Sequence, residues 1–136
     1  MESNEHKAET YKSLITISTE GFKALQYLNG GAVIAILTYL GTLECVSPKI
    51  ISLTKLPLYF FIAGLVAATL LYLTSYMNQY CLHNENNNRK SGFGEHQYWL
   101  YGSMFLVLVS LILFCSGAIS AVDALLEIAK VDSSPG

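Results

Sequence analysis

The chain has 136 residues, enough for a single domain, and 52% of them are hydrophobic whereas only 13% are charged. Since a soluble domain usually carries about 25% charged residues, this composition argues against a water-soluble fold. The net charge of −2 argues against a protein that wraps nucleic acid along its whole surface.

The first element in chain order is an N-terminal amphipathic helix. Residues 2 to 21 contain no proline, and side chains on one face recur at alternating spacings of four and three residues, at Ala8, Tyr11, Ile15, Ser18, Phe22 and Leu25. The same register continues through Asn29, Ala32, Ile36 and Tyr39. We expect a cytoplasmic helix over residues 1–21 that runs directly into the first membrane span, with one continuous seam about nine turns long.

The first membrane span begins with a polar notch, in the stretch "QYLNGGAVIAILTYLG". Asn-Gly-Gly is a strong turn signal, but the apolar run from Ala32 to Leu43 would cover about 18 Å of a hydrocarbon layer roughly 30 Å thick. We therefore predict that the helix continues through Asn29-Gly30-Gly31 and that the span covers residues 22–43. The alternative is an N-terminal helix that lies flat on the membrane, with a hinge at Asn29-Gly30.

Two further spans are predicted over residues 56–78 and 98–122, because each is an apolar stretch longer than about 18 residues. Thr54 is expected to cap the second helix, with Pro57 close to its first turn. A loop rich in Asn, Gly and charged residues joins the second and third spans. The predicted organisation is a helix over 1–21, a three-helix membrane domain over 22–122, and a helical extension and tail over 123–136.

Small residues on the second and third spans form two rows, each on a single helix face. The rows are Gly64, Ala68 and Ser75 on span two, and Ser103, Ser110 and Gly117 on span three. Small residues at these spacings allow helices to approach closely. We interpret both rows as packing seams rather than functional sites.

The distribution of Lys and Arg predicts the orientation in the membrane. Three spans place the N-terminus and the second loop on the same side, together with five of the eight basic residues, Lys7, Lys12, Lys23, Arg89 and Lys90. The other side carries Lys49, Lys55 and Lys130. This excess favours an N-terminus in the cytoplasm.

Polar residues within span one are candidate functional positions, because lipid cannot satisfy their hydrogen bonds. Gln26 and Asn29 are one turn apart, and Asn29 and Ile36 lie on the long seam. An Asn on such a seam fixes the register of a coiled coil, and in a membrane it pairs with a polar partner or with water. We expect these three residues to line a pore or a subunit seam, with Gly30 and Gly31 allowing close approach of neighbouring helices or a bend.

A second polar row lies on span three and its extension, formed by Ser116, Ser120, Asp123 and Glu127. Their spacings of four, three and four keep them within about 60° of arc. In an oligomer this row would line a pathway and place carboxylates at its mouth, where they attract cations. The alternative is that the serines bond to backbone carbonyls and the acids end the helix in water.

Motifs of enzymes are missing from the sequence, including a phosphate-binding Gly loop, a paired-His helix motif and a nucleophile elbow. We therefore predict no enzymatic activity, no catalytic residues, no metal site and no cofactor. Three thin helices bury little surface unless several copies associate. The predicted fold is an all-α integral membrane protein whose subunits assemble as a homo-oligomeric bundle.

The stretch "ALQYLNGGAVIAILTYLG", which follows an amphipathic helix, resembles the opening of small bacterial multi-span proteins linked to phage-defence operons. The overall plan resembles the transmembrane effectors of the Hailong anti-phage defence system, the HalB family, over residues 8–41 and the three-span layout. The resemblance implies an oligomeric ion channel of the bacterial inner (plasma) membrane, held closed by single-stranded DNA that a partner nucleotidyltransferase makes. It would make Lys7, Lys12, Lys23, Arg89 and Lys90 the contacts to this oligodeoxynucleotide.

Three functions are compatible with these features. The leading hypothesis is a homo-oligomeric channel that disrupts the membrane as an effector of anti-phage defence, in abortive infection. The alternatives are a holin-like pore former, which opens by accumulation, and a non-conducting membrane scaffold subunit.

Overall fold

The computed structural model describes residues 2–43, 47–86 and 96–132. Within these ranges the chain forms three α-helices, α1 (Glu2–Thr42), α2 (Pro48–Asn86) and α3 (His96–Asp132). The predicted all-α fold is confirmed over this part of the chain. Arg89 and Lys90, two of the predicted ligand contacts, lie outside the described residues.

Each helix contains a segment that is long and apolar enough to cross a membrane. The segments are Glu9–Thr42, Pro48–Asn84 and Gln97–Lys130, with mean hydropathies of 1.2, 2.1 and 2.5. This is the composition of a multi-pass membrane protein. Among these three segments, the one in α1 is the least apolar.

α1 continues without a break through Asn29-Gly30-Gly31. Its 41 residues make a helix about 61 Å long. An unbroken helix satisfies its backbone N–H and C=O groups internally, which a turn exposed to lipid cannot do. The prediction that the polar notch is helical is confirmed, and α1 has no hinge at Asn29-Gly30.

α2 begins at Pro48, earlier than the predicted start near residue 56. Proline suits the first turn of a helix, and the Ile50 N–H donates a hydrogen bond to the Ser47 Oγ at 3.3 Å, so Ser47 caps the helix. Pro57 is consequently a buried residue in the helix interior. The prediction of Thr54 as the cap is wrong, since its hydroxyl donates to the Ile50 carbonyl at 2.9 Å within the helix.

α2 lies between the other two helices. It packs extensively along α3 and less extensively along α1, whereas α1 and α3 touch over a short stretch. Leu25 of α1 and Ala68 and Leu71 of α2 form a small buried core. α2 runs antiparallel to α1, since Gln26 contacts Thr69 whereas the later Asn29 lies beside the earlier Gly64. It also runs antiparallel to α3, since Ser103 contacts Thr74 whereas Gly117 lies beside Phe61.

The small-residue rows of α2 and α3 lie inside this three-helix unit. The buried members are Gly64, Ala68, Ser103, Ser110 and Gly117. A Cβ added to Gly117 would meet the Phe61 ring at 2.9 to 3.1 Å, and this ring packs against Phe114 with 5.7 Å between centroids. The interpretation of the rows as packing seams is confirmed for these residues.

Candidate functional site

A buried polar cluster joins the three helices. The Nδ2 of Asn29 in α1 donates to the Leu25 carbonyl at 3.0 Å and to the Oγ of Ser110 in α3 at 3.3 Å. The Ser110 hydroxyl in turn donates to the carbonyl of Gly64 in α2 at 2.9 Å. Asn29 and Ser110 are fully buried. The cluster therefore connects all three helices through hydrogen bonds that neither lipid nor bulk water reaches.

Gly64 makes room for the Asn29 amide. A Cβ at position 64 would collide with Oδ1 of Asn29. This oxygen is buried and has no hydrogen-bond partner, so its close neighbour is the Cα of Gly64, which offers a weak C–H···O contact. The bond from Nδ2 to the Leu25 carbonyl fixes the orientation of the Asn29 amide. If the amide were rotated by 180°, its Oδ1 would face the carbonyl oxygen, and two acceptors would repel each other.

The polar cluster lies level with the middle of the uncharged stretch of α3. Residues 97–122 of α3 contain no Asp, Glu, Lys or Arg, and Ser110 lies halfway along this stretch. Asn29 lies at the same level because it contacts Ser110 directly. The position of Asn29 near the cytoplasmic end of its span stays a prediction; what the structure adds is its pairing with Ser110 of α3, which the sequence of α1 alone does not contain.

The environment of Asn29 corrects its predicted role. The sequence placed Asn29 on a pore axis or a seam between subunits, whereas its side chain lies within a single chain, fully buried and bonded to α3. The seam of α1 that contains Asn29 is thus the face with which α1 packs on its own α2 and α3. The physical reason is that a lone amide in an apolar layer finds its partner where one is nearest, and Ser110 supplies it here.

Gln26 and Ile36, the other predicted residues of this seam, also point toward the chain's own helices. The Nε2 of Gln26 lies 3.5 Å from the Oγ1 of Thr69 in α2. Ile36 lines an apolar groove of about 330 Å³ between α1 and the adjoining ends of α2 and α3. Both side chains are half-buried, so this arrangement does not present them on a free surface.

The polar row of α3 lies on the surface of the chain. Asp123 is exposed, and Ser116, Ser120 and Glu127 are half-buried. The Oε1 of Glu127 lies 3.6 Å from the Nζ of Lys49, and its Oε2 lies 3.8 Å from the Nζ of Lys130. By helical position the row is opposite Val107 and Leu111, which face α1. These four residues therefore share a face that the described part of α1 leaves uncovered.

Of the five predicted contacts to an anionic ligand, the structure describes the side chains of Lys12 and Lys23. Lys12 is exposed. The Nζ of Lys23 donates to Glu20 at 2.8 Å, which offsets its charge. The two lysines lie about 17 Å apart along α1, so they do not form a cluster. The side chain of Lys7, like Arg89 and Lys90, lies outside the described residues.

A hydroxyl pair between α2 and α3 was not predicted from the sequence. The Oγ of Ser103 lies 2.9 Å from the Oγ1 of Thr74 and 2.9 Å from the Trp99 carbonyl. The spacing of Ser103 from Ser110 marked Ser103 as a packing position in the sequence, whereas no pattern in the sequence marked Thr74. Its pairing depends on the register of α2 against α3, which the pattern of either helix alone does not specify.

Among the side chains described, no group of three or more His, Cys, Asp or Glu residues is arranged to hold a metal ion. Comparison with known proteins adds no relative: no protein-family model, curated protein or solved structure matches this chain.

Proposed function

We propose that this protein is a subunit of a homo-oligomeric ion channel in the bacterial inner membrane. The observation that carries the proposal is the polar row of α3, in which Ser116, Ser120, Asp123 and Glu127 share a face that is partly exposed on the single chain. Hydroxyl and carboxylate groups on a membrane helix need polar partners that lipid does not supply. A ring of copies would supply them as a water-filled path.

The charges at the end of this row favour a cation path. Glu127 has two lysines within 4 Å of its carboxylate oxygens, so part of its charge is offset. Asp123 is one turn closer to the middle of α3 and is exposed. In a ring of copies, the Asp123 carboxylates would be repeated around the axis, and such rings concentrate cations at a channel mouth. We therefore assign the larger share of cation attraction to Asp123.

The test is single-channel recording of the purified protein in planar bilayers of phosphatidylethanolamine and phosphatidylglycerol. We expect discrete conductance steps that favour K⁺ over Cl⁻. Asp123→Asn, which keeps the side-chain shape and removes the charge, should lower the cation conductance and this preference. Glu9→Gln, which removes an exposed carboxylate on α1, should leave both unchanged.

The outcomes separate the alternatives. A bilayer that stays silent at all voltages would contradict a channel and favour the non-conducting scaffold. Conductance steps that Asp123→Asn leaves unchanged would contradict the assigned path along α3.

The biological role that we propose for this channel is that of an effector of anti-phage defence, closed by a single-stranded oligodeoxynucleotide from a partner nucleotidyltransferase. This part rests on the resemblance over residues 8–41. Phosphate contacts weaken as salt rises, so the oligonucleotide should close the channel at low salt and lose its effect at high salt. Lys12→Gln should reduce this closure. Two results together would instead indicate a holin-like pore: a conductance that the oligonucleotide does not change, and lysis without phage of cells that produce the protein.

A further inference from the structure

The face of α1 that points away from α2 and α3 carries an unusual set of residues. Six of its exposed positions repeat at alternating spacings of three and four residues, within about 100° of arc. They are Ala24, Tyr27, Gly31, Ile34, Thr38 and Gly41. We call this set the outer face of α1. It lies opposite Asn29 and differs from the seam identified in the sequence.

Tyr27 places a phenol on this face without a hydrogen-bond partner among the described residues, and its electrostatic neighbour is Lys23, one turn earlier on α1. It precedes Asn29 by two residues, so its Cα lies about 3 Å along the axis from the polar cluster. The side chain is 76% exposed and makes no hydrogen bond with the described residues. Lipid tails cannot satisfy this group.

The glycines of the outer face are not needed by the chain's own packing. A Cβ added to Gly31 or Gly41 would meet nothing within 4 Å. Each glycine costs about 1 kcal/mol relative to alanine in a helix interior. Gly64 and Gly117 offset that cost through close contacts with Asn29 and Phe61. Gly31 and Gly41 have no such contact with the described residues, so both leave room for a helix from outside to approach this face closely.

The surface that the chain leaves exposed is large enough for an obligate interface. Its accessible surface is 9763 Å², whereas a compact monomer of 15.0 kDa exposes about 7,000 Å². The 2,000–5,000 Å² that obligate complexes bury is summed over both partners and corresponds to about 1,000–2,500 Å² per copy, so an excess of about 2,700 Å² per copy is sufficient for such an interface. Since the α1 span is also the least apolar of the three, it is the one least suited to lipid on its free side.

We propose that the outer face of α1 is the surface on which a second copy of this chain packs. The inference rests on the homo-oligomer that the proposed function requires, and it identifies the contact that holds neighbouring copies together. The small residues let a helix of the second copy approach closely, and that helix brings a hydrogen-bond partner to the Tyr27 hydroxyl. The alternating spacing of three and four is the one that forms left-handed helix pairs crossing at about 20°.

The test uses the full-length protein in vesicles of phosphatidylethanolamine and phosphatidylglycerol. A photoreactive benzoyl-phenylalanine is placed at Ile34, on the outer face, or at Ile62, an exposed apolar position on α2. We expect covalent dimers from position 34 and not from position 62. Equal capture at the two positions, or capture at 62 alone, would overturn the inference.

A pair of matched substitutions tests the close approach. Gly31→Leu should weaken association by about tenfold or more, measured as the monomer fraction across lipid dilutions. Ala63→Leu adds a side chain of the same kind at an exposed position on α2 and should leave association unchanged. A Cβ at position 31 meets nothing within 4 Å inside the chain, and leucine is a better helix former than glycine, so the helix content and unfolding midpoint of Gly31→Leu should not fall below those of the unsubstituted protein. Unchanged association in a folded Gly31→Leu protein would refute the proposed contact.

Recording current from the same vesicles separates this inference from the proposed function. Dimers captured at position 34 without any current would support the contact and contradict the channel. Current without capture at position 34 would support the channel and contradict the contact.

Discussion

Asn29 and Gly64 depend on each other, because the amide occupies space that remains free only if position 64 has no side chain. The hydrogen bonds of Asn29 to Leu25 and Ser110 hold the amide in that space. An interhelical hydrogen bond in a membrane protein is worth about 0.6 kcal/mol on average. The close packing around the amide therefore restricts position 64 in addition to the modest stabilisation from the bond.

This dependence predicts the effect of adding one methyl group. Gly64→Ala would place a Cβ against Oδ1 and Cγ of a fully buried side chain, so the helices must separate. Overpacking of this kind typically costs about 1–3 kcal/mol of unfolding free energy. The matched control is Gly102→Ala on α3, since a Cβ at that position meets nothing within 4 Å. Equilibrium unfolding in detergent micelles would measure both, and equal stability of the two variants would contradict the described packing.

At the scale of elements, the sequence specified the helices better than their faces. The small-residue spacing of α2 and α3 predicted their packing seams, because both helices are apolar and the rows are the distinguishing feature. α1 carries two faces with the same alternating spacing, one through Phe22, Leu25 and Asn29 and one through Tyr27, Gly31 and Ile34. A periodic pattern shows that a face packs, but not whether its partner belongs to the same chain. Asn29 was consequently assigned to a subunit seam, although its partner is Ser110.

The start of α2 shows a different limit of the pattern. Ser47 and Pro48 form a good N-terminal cap and first turn, but the polar residues that follow them looked like a loop. The capping bond from the Ile50 N–H to the Ser47 Oγ stabilises the start of this helix, and hydropathy does not detect it.

Because α1 is unbroken, two positions near its opposite ends should lie far apart in space. Spin labels on cysteines at Thr10 and Thr38, in a background with the native cysteines replaced by alanine, should lie about 42 Å apart along the helix. A helix bent by a right angle at Asn29 would bring the same positions to about 32 Å. Pulsed electron–electron double resonance spectroscopy in lipid nanodiscs distinguishes the two distances. The shorter distance would contradict the continuous helix and support an N-terminal segment lying on the membrane surface.

At the scale of the whole molecule, α2 is the centre of each copy and α1 is loosely attached, since α1 contacts α3 over a short stretch. The polar cluster of Asn29, Ser110 and the Gly64 carbonyl is a point where all three helices are joined by hydrogen bonds. Grooves remain beside it, including the apolar groove of about 330 Å³ lined by Ile36. A unit with this little internal burial is expected to gain stability from neighbouring copies, in line with the contact proposed for the outer face of α1.

The predicted orientation of the chain in the membrane rests on the number of spans and on the positions of the basic residues. Three spans place the termini on opposite sides, and the five-to-three distribution of Lys and Arg favours a cytoplasmic N-terminus. A fluorescent protein fused to the N-terminus should therefore be fluorescent, and alkaline phosphatase fused to the C-terminus should be active, because each reporter works on one side of the inner membrane. The reverse pattern would contradict the orientation while leaving three spans intact. If the two reporters placed both termini on the same side, one of the three apolar helices would not cross the membrane, and the polar row of α3 would need a different partner from the water-filled path proposed for it.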